Sequence, residues 1–219
     1  TQLRNTFKNI RKYKQMTRFL IARLIYNDGL ITVFAFGGIY AAGTFGFTFQ
    51  EIMIFGIVLN VTAGLGAFLL GFLDDVIGGK RTIQISNIGL IIATLIAVLS
   101  PNRDLFELSI PLIGTWMITG KTFFWLSGIL IGVFSGPNQS ASRSLMARFV
   151  PKEKENEFFG FFAFSGKATA FAGPFLLGYL TLAFGSQRYG IAVVLAFLVI
   201  GSLLLRSVDE KAGMEAAET

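Results

Sequence analysis

The sequence predicts an all-α integral membrane protein of six transmembrane helices. Three observations carry this. Hydrophobic residues make up 53% of the 219 positions and charged residues only 15%, where a soluble domain carries about 25% charged. The apolar residues form separate runs of about 20 with almost no charge, the length a helix needs to cross a ~30 Å hydrocarbon core. The basic residues gather in the short segments between those runs, so the net charge of +6 belongs to membrane topology rather than to nucleic-acid binding.

The composition also excludes chemistry. There is no cysteine, hence no disulfide, thiolate nucleophile or Cys-based metal site. There is no histidine, the usual proton shuttle and commonest metal ligand. No span pairs carboxylates at helical spacing. We therefore expect no enzyme, no metal and no cofactor.

The six expected spans are Phe19–Ala42, Phe49–Leu73, Ile83–Leu99, Phe123–Leu145, Phe158–Phe184 and Tyr189–Leu205. Membrane strands would need only about 10 residues each and would alternate in polarity. Arg4, Lys8, Arg11, Lys12, Lys14, Arg18 and Arg23 stand at the first span's start. Lys80 and Arg81 follow the second, Arg143, Arg148, Lys152 and Lys154 flank the end of the fourth, and Arg206 and Lys211 follow the sixth. That places 15 of the 19 basic residues on one side, against Arg103, Lys121 and Arg188 opposite and Lys167 inside a span. By the positive-inside rule both termini are cytoplasmic.

Residues 1–18 are basic, with Leu3, Phe7, Ile10 and Tyr13 at helical spacing. They read either as a cytoplasmic linker or as a helix lying on the inner surface. Residues 19–205 form the bundle, and 206–219 a cytoplasmic tail expected to be disordered at its end. Pro101–Thr122 is a longer loop, too interrupted for a seventh span, with Trp116 placed for the outer interface. The chain opens on Thr1 with a basic stretch, unlike a signal peptide, and is expected to be part of something longer.

Between spans two and three runs Gly71, Phe72, Leu73, Asp74, Asp75, Val76, Ile77, Gly78, Gly79, Lys80, Arg81. Gly71, Leu73, Asp75, Gly78, Lys80 and Arg81 match the G-x-L-x-D-R-x-G-x-R/K-R/K loop of the major facilitator superfamily, with Val76 in place of its arginine. Glycines allow a tight turn and close helix approach. Asp75 would accept from a helix N-terminus or a basic group, making a gating relay that, with Val76 in place of arginine, is either weaker or turns to Lys80 or Arg81. An ordinary charged turn is the plain alternative.

A second resemblance covers nearly the whole chain. Tyr26-Asn27-Asp28-Gly29, Phe36 to Gly43, Gln139 to Ser144, Ala147-Arg148, Pro151, Glu157 to Gly160 and Ser165 to Ala168 resemble the carboxyl-terminal half of the vacuole-effluxer-like family. These are prokaryotic and fungal major facilitators related to the yeast vacuolar amino-acid effluxer. The resemblance implies one half of a major facilitator fold, built from two inverted three-helix repeats. Its implied partners are a bilayer, a small polar solute, and a missing N-terminal half or a second six-helix copy. A bacterial inner membrane is the expected location.

Charges inside a bilayer are costly and mark pathways or partners. Asp28 lies ten residues past Arg18, ~15 Å along a helix, and Lys167 lies as far past Glu157 on a span entering from the same side. The two are expected to share one polar interior, either as a static bridge or as a switch. Pro137 kinks the fourth span and frees a carbonyl beside Asn138 and Gln139. Asn27, Asp28, Asn138, Gln139 and Lys167 are the substrate or coupling candidates, with interhelical hydrogen bonding as the competing role. Asn60, Arg143 and Thr169 form a second tier. Ala63, Ala67 and Gly71, and in the fifth span Gly160, Ala163, Ser165 and Gly166, make small-residue stripes for close helix contact. Two functions stay open: half of a secondary transporter moving a small polar solute, amino acids included, by alternating access, or a six-helix scaffold that keeps the fold without transport.

Overall fold

The computed structural model describes residues 13–101, 106–110, 114–151 and 154–218, with only the backbone described for 106–110 and 114–118. The N-terminal stretch up to residue 12, read as linker or surface helix, lies outside the described residues.

The first helix, α1, spans Lys14–Phe45 and stops where Gly46 turns left-handed at φ +65°, a conformation glycine adopts without a Cβ penalty. Helix α2, Phe49–Leu70, starts in a capping box between Thr48 and Glu51. A one-turn helix α3, Leu73–Ile77, leads through Gly78 (φ +89°) into α4, Gly79–Leu99. Then come β1, Phe106–Ile110, and β2, Gly114–Ile118, paired antiparallel with Leu108 opposite Trp116. The segment read as a loop thus contains a hairpin, whose two strands are too short to have shown as alternation.

Helix α5, Gly120–Arg148, runs unbroken through Pro137. The fifth expected span is not one helix but two. α6 covers Glu155–Ser165 and α7 covers Ala172–Phe184, with turns from 166 to 171 between them. Gly166 ends α6, and Pro174 fits only the first turn of a following helix, where its missing N–H costs nothing. Helix α8, Gln187–Arg206, and α9, Glu210–Glu218, complete the chain. The tail expected to be disordered is therefore helical up to Glu218, held by contacts described below.

Four helices, α1, α2, α4 and α8, are long and apolar enough to cross a membrane. α7 is apolar but shorter. α5 has the length, but the polar run from Ser135 to Ser144 lowers its apolarity.

The main partnerships are α1 with α8, α2 with α5, and α4 with α5. One end of the bundle gathers the start of α1, the 71–80 turn, the end of α5 and the start of α9: Arg18 donates to Ser207 O, Arg148 meets Asp74, and Lys154 sits over the Tyr13 ring. At the other end Lys121 bridges to Glu51 at 3.1 Å, and Arg188 holds the carbonyls of Val98 and Ser100. There Phe45, Phe47, Phe55 and Phe124 pack ring against ring at 5.0–6.2 Å. Phenylalanine thus serves as core here, while Phe49, Phe68 and Phe72 of the α2 region face outward.

Candidate functional site

At the break the turn's own N–H groups cap α6, Gly166 N reaching Phe162 O and Ala163 O and Ala168 N reaching Phe164 O. Two side chains of α1 add to this end. Arg23 donates to Phe162 O at 2.7 Å and to Ser165 Oγ at 2.9 Å, with its guanidinium 3.5 Å from the Phe162 ring centre. Asn27 donates to Gly166 O at 3.0 Å. One residue on, Asp28 is buried at 3% exposure and neighbours Thr169, inside the break. The Thr169 hydroxyl is buried and completes no hydrogen bond of good geometry. α7 then approaches α1 so closely at Gly173 that a methyl group there would overlap Thr32 Oγ1. Helix length, proline placement and interior polar groups thus converge on one seam, α1 against α6 and α7.

Lys167 also lies in the break, but its side chain is exposed, and no ion pair among the described residues joins it to Asp28. The expected pairing is corrected accordingly. Counting ten residues from each entry assumed continuous helices, and the fifth span leaves helical register just before Lys167.

The second group forms a chain of hydrogen bonds through the interior. Tyr26 OH meets Ser142 Oγ at 2.8 Å, Ser142 Oγ donates to Asn138 O at 2.6 Å, and Asn138 Nδ2 donates to Asn87 Oδ1 at 2.8 Å. The chain ties α1, α5 and α4 together. Asn87 Nδ2 and Asn138 Oδ1 remain buried without partners, each with hydrogen-bonding capacity to spare. Gln139, next in sequence, is exposed, as is Arg143 one turn on, because adjacent helical residues face about 100° apart. Arg143 is near enough to Arg23 to repel it, so this outer face borders the break. The carbonyl that Pro137 frees is that of Val133, and it is not open to a solute. It lies against Gly66 of α2, where a methyl group would overlap it.

Asn60 is exposed and donates to its own Gly56 O, lining with Gln187 a cavity of about 710 Å³ between α1 and α2. The small residues Ala63 and Ala67 do face a partner, but the partner stripe escaped the sequence reading. Gly128, Gly132 and Gly136 of α5, spaced by four, meet Phe55, Thr62 and Ala63 of α2. That spacing was visible in the sequence as a signal.

The gating motif is corrected in its charges. Asp74, not Asp75, is the interior carboxylate: its side chain is 9% exposed against 84% for Asp75. Both carboxylates pair with Arg148 of α5, Asp74 at 3.0 Å and Asp75 at 3.8 Å, rather than with Lys80 or Arg81. Arg148 also reaches Glu210 at 3.4 Å. Glu210 of α9 accepts from Gly79 N and Lys80 N at 2.9 and 3.0 Å, capping the N-terminus of α4 where negative charge is favoured. Lys80 Nζ holds the carbonyls of Arg206 and Val208, and Arg81 is exposed. Gly71 lies in the turn before α3, Leu73 opens α3, and Gly78 supplies the left-handed turn. No sequence pattern pointed to Glu210, because a carboxylate in a charged tail looks like any solvated one.

The sequence has relatives among known proteins. A family profile described as "Vacuole effluxer Atg22 like" matches residues 1–218. The chain belongs to that family. It is 26% identical over 217 residues to the uncharacterized MFS-type transporter YxiO of Bacillus subtilis, covering 99% of this chain and 46% of that protein. Autophagy-related protein 22 of Cryptococcus neoformans is 25% identical over 213 residues, covering 96% of this chain and 37% of the relative. Its counterpart in Saccharomyces cerevisiae is 26% identical over 214 residues, covering 97% and 39%. The chain thus spans less than half the length of the curated relatives it matches. Family membership and the long apolar helices make it an integral membrane protein.

Proposed function

We propose that this chain is one six-span half of a secondary transporter that moves a small polar solute by alternating access. The observation that carries the reading is the interrupted fifth span, whose turns face Arg23, Asn27 and Asp28 of α1. Irregular backbone at membrane depth is tolerated where it lines a cavity, and transporters place solute and ion sites at such interruptions. A scaffold would have no use for it.

The six spans are α1, α2, α4, α5, α6 with α7, and α8. In an inverted repeat α1 corresponds to α5 and α4 to α8. The main partnerships α1–α8 and α5–α4 exchange under that operation, which supports the repeat. Both termini and the 71–81 turn belong on the cytoplasmic side by the basic-residue asymmetry, in a bacterial inner membrane. The exposed Gln139, Arg143 and Lys167 face the other half, supplied by the rest of the polypeptide or by a second copy. Amino acids fit as solutes because the exposed Gln139, Arg143 and Lys167 offer an amide and the cations that a carboxylate group seeks. The family's description as vacuole effluxers agrees with export across a membrane. The turn held by Asp74, Arg148 and Glu210 is the gate at the cytoplasmic end.

The native polypeptide reconstituted in liposomes loaded with labelled amino acids tests this. Saturable efflux above protein-free liposomes is expected. Folded protein that moves no polar solute would instead favour the scaffold reading.

A further inference from the structure

Asp28 is nearly inaccessible, yet among the described residues no cationic side chain pairs with its carboxylate. The neighbours that could neutralise it are turned elsewhere. Arg23 gives its Nη1 to Phe162 O and Ser165 Oγ and leaves its buried Nε without a partner, Asn27 is bound to Gly166 O, and Lys167 is exposed. Thr32 spends its hydroxyl on the main-chain carbonyl of Asp28 at 2.7 Å, not on the carboxylate. Beside the carboxylate stands the Thr169 hydroxyl, close enough to interact with it, buried and in no other hydrogen bond of good geometry. Pro174 has no N–H to offer the Ala170 carbonyl four residues earlier in the break. A buried carboxylate needs a counter-charge or a proton.

We infer that Asp28, Thr169 and the turn at 166–171 bind a sodium ion. A carboxylate, a hydroxyl and main-chain carbonyls are hard oxygen donors, and one negative charge suits a monovalent rather than a divalent cation. Unwound carbonyls beside a half-helix are where transporters hold coupling ions. The site lies between two separately built pieces, α1 and the break, so occupancy draws them together. This deepens the transporter reading and rests on it: sodium would be the coupling ion, setting how readily the break moves.

The test uses the native polypeptide in detergent and equilibrium binding of radioactive sodium. Saturable binding is expected. Asp28→Asn should abolish it, and Thr169→Val should weaken it about tenfold, the scale of losing one good ligand. Lys121→Gln, at the other end of the bundle, should leave it unchanged. In case Asp28→Asn fails to fold, the wild-type melting temperature gives a second reading. It should rise in sodium chloride over choline chloride at equal ionic strength, and rise less in Thr169→Val. Absence of saturable binding, binding indifferent to both substitutions, or stabilisation by acid but not by sodium would overturn the site. Sodium binding without solute flux would keep the site and remove the transport reading. Flux indifferent to sodium, with no sodium bound, would do the reverse.

Discussion

The contact between α2 and α5 and the contact between α1 and the α6–α7 break differ in what fills them. The first is backbone against small side chains: Gly132 and Gly136 admit Thr62 and Ala63, and Gly66 admits the Val133 carbonyl that Pro137 leaves free. The second is filled by a guanidinium, an amide, a carboxylate and turns. Both answer the same constraint, that every polar main-chain group in a membrane must be satisfied or covered. The glycine contact answers by closeness, which leaves one arrangement. The polar contact answers with long side chains, which can exchange partners. On the transporter reading proposed above, the first is the fixed joint of the bundle and the second its moving one.

The largest effect expected is at the fixed joint. Gly136→Val places branched carbon against the Ala63 carbonyl and the Ala67 backbone, overpacking with no flexible neighbour to yield. A cost of about 3 kcal/mol is expected, seen as lost folded protein in a thermal melt of the native polypeptide. A wild-type melt would break the comparison at its firmest point.

Next comes the Asp74–Arg148–Glu210 cluster. Arg148→Ala leaves Asp74 buried without its partner and releases Glu210 from one of its contacts. Arg148 is 29% exposed, so the loss should be about 2 kcal/mol rather than the full cost of an orphaned interior charge. Removing Asp74 as well, as Arg148→Leu with Asp74→Leu, should restore part of it in a double-mutant cycle.

Smaller effects sharpen the moving joint. Asn27→Ala removes the donor to Gly166 O and should cost about 1 kcal/mol in stability. Solute flux should fall by a larger factor, since the same bond positions the break. Lys167→Gln, on an exposed side chain, should change stability by under about 0.5 kcal/mol. Combined with Asp28→Asn it should simply add. Non-additive stabilities would restore the ion pair that this structure lacks.

The helical plan was legible because hydrophobic length and basic asymmetry are local properties of the sequence. Five of the six expected spans appear as single helices for that reason. The break at 166–171 was not legible, since Ser165-Gly166 and Gly173-Pro174 sit in an otherwise apolar run and mimic a small-residue packing stripe. Of the candidate residues, Asp28, Asn27 and Thr169 converge, because their depths from one end of the bundle are comparable whatever the helix does. Asn138 and Gln139 diverge, the first turned into the α4 contact and the second outward. The choice of Asp75 over Asp74 followed motif register, but burial is decided by the turn, and α3 directs Asp74 inward to Arg148. Glu210 and Asn87 depend on contacts across more than 50 residues, which no local pattern encodes.

The claim that the α1–break seam moves in water while the α2–α5 seam stays dry has a direct test. This chain contains no cysteine, so single cysteines can be introduced at Asn27, Lys167 and Thr169 on one seam and Ala63 and Ala67 on the other, in native polypeptide otherwise free of cysteine. Labelling by a small membrane-impermeant thiol reagent is then measured with and without solute. The account predicts labelling at 27, 167 and 169 whose rate changes when solute is added, and none at 63 and 67. Equal labelling of both seams, or labelling confined to 63 and 67, would contradict it.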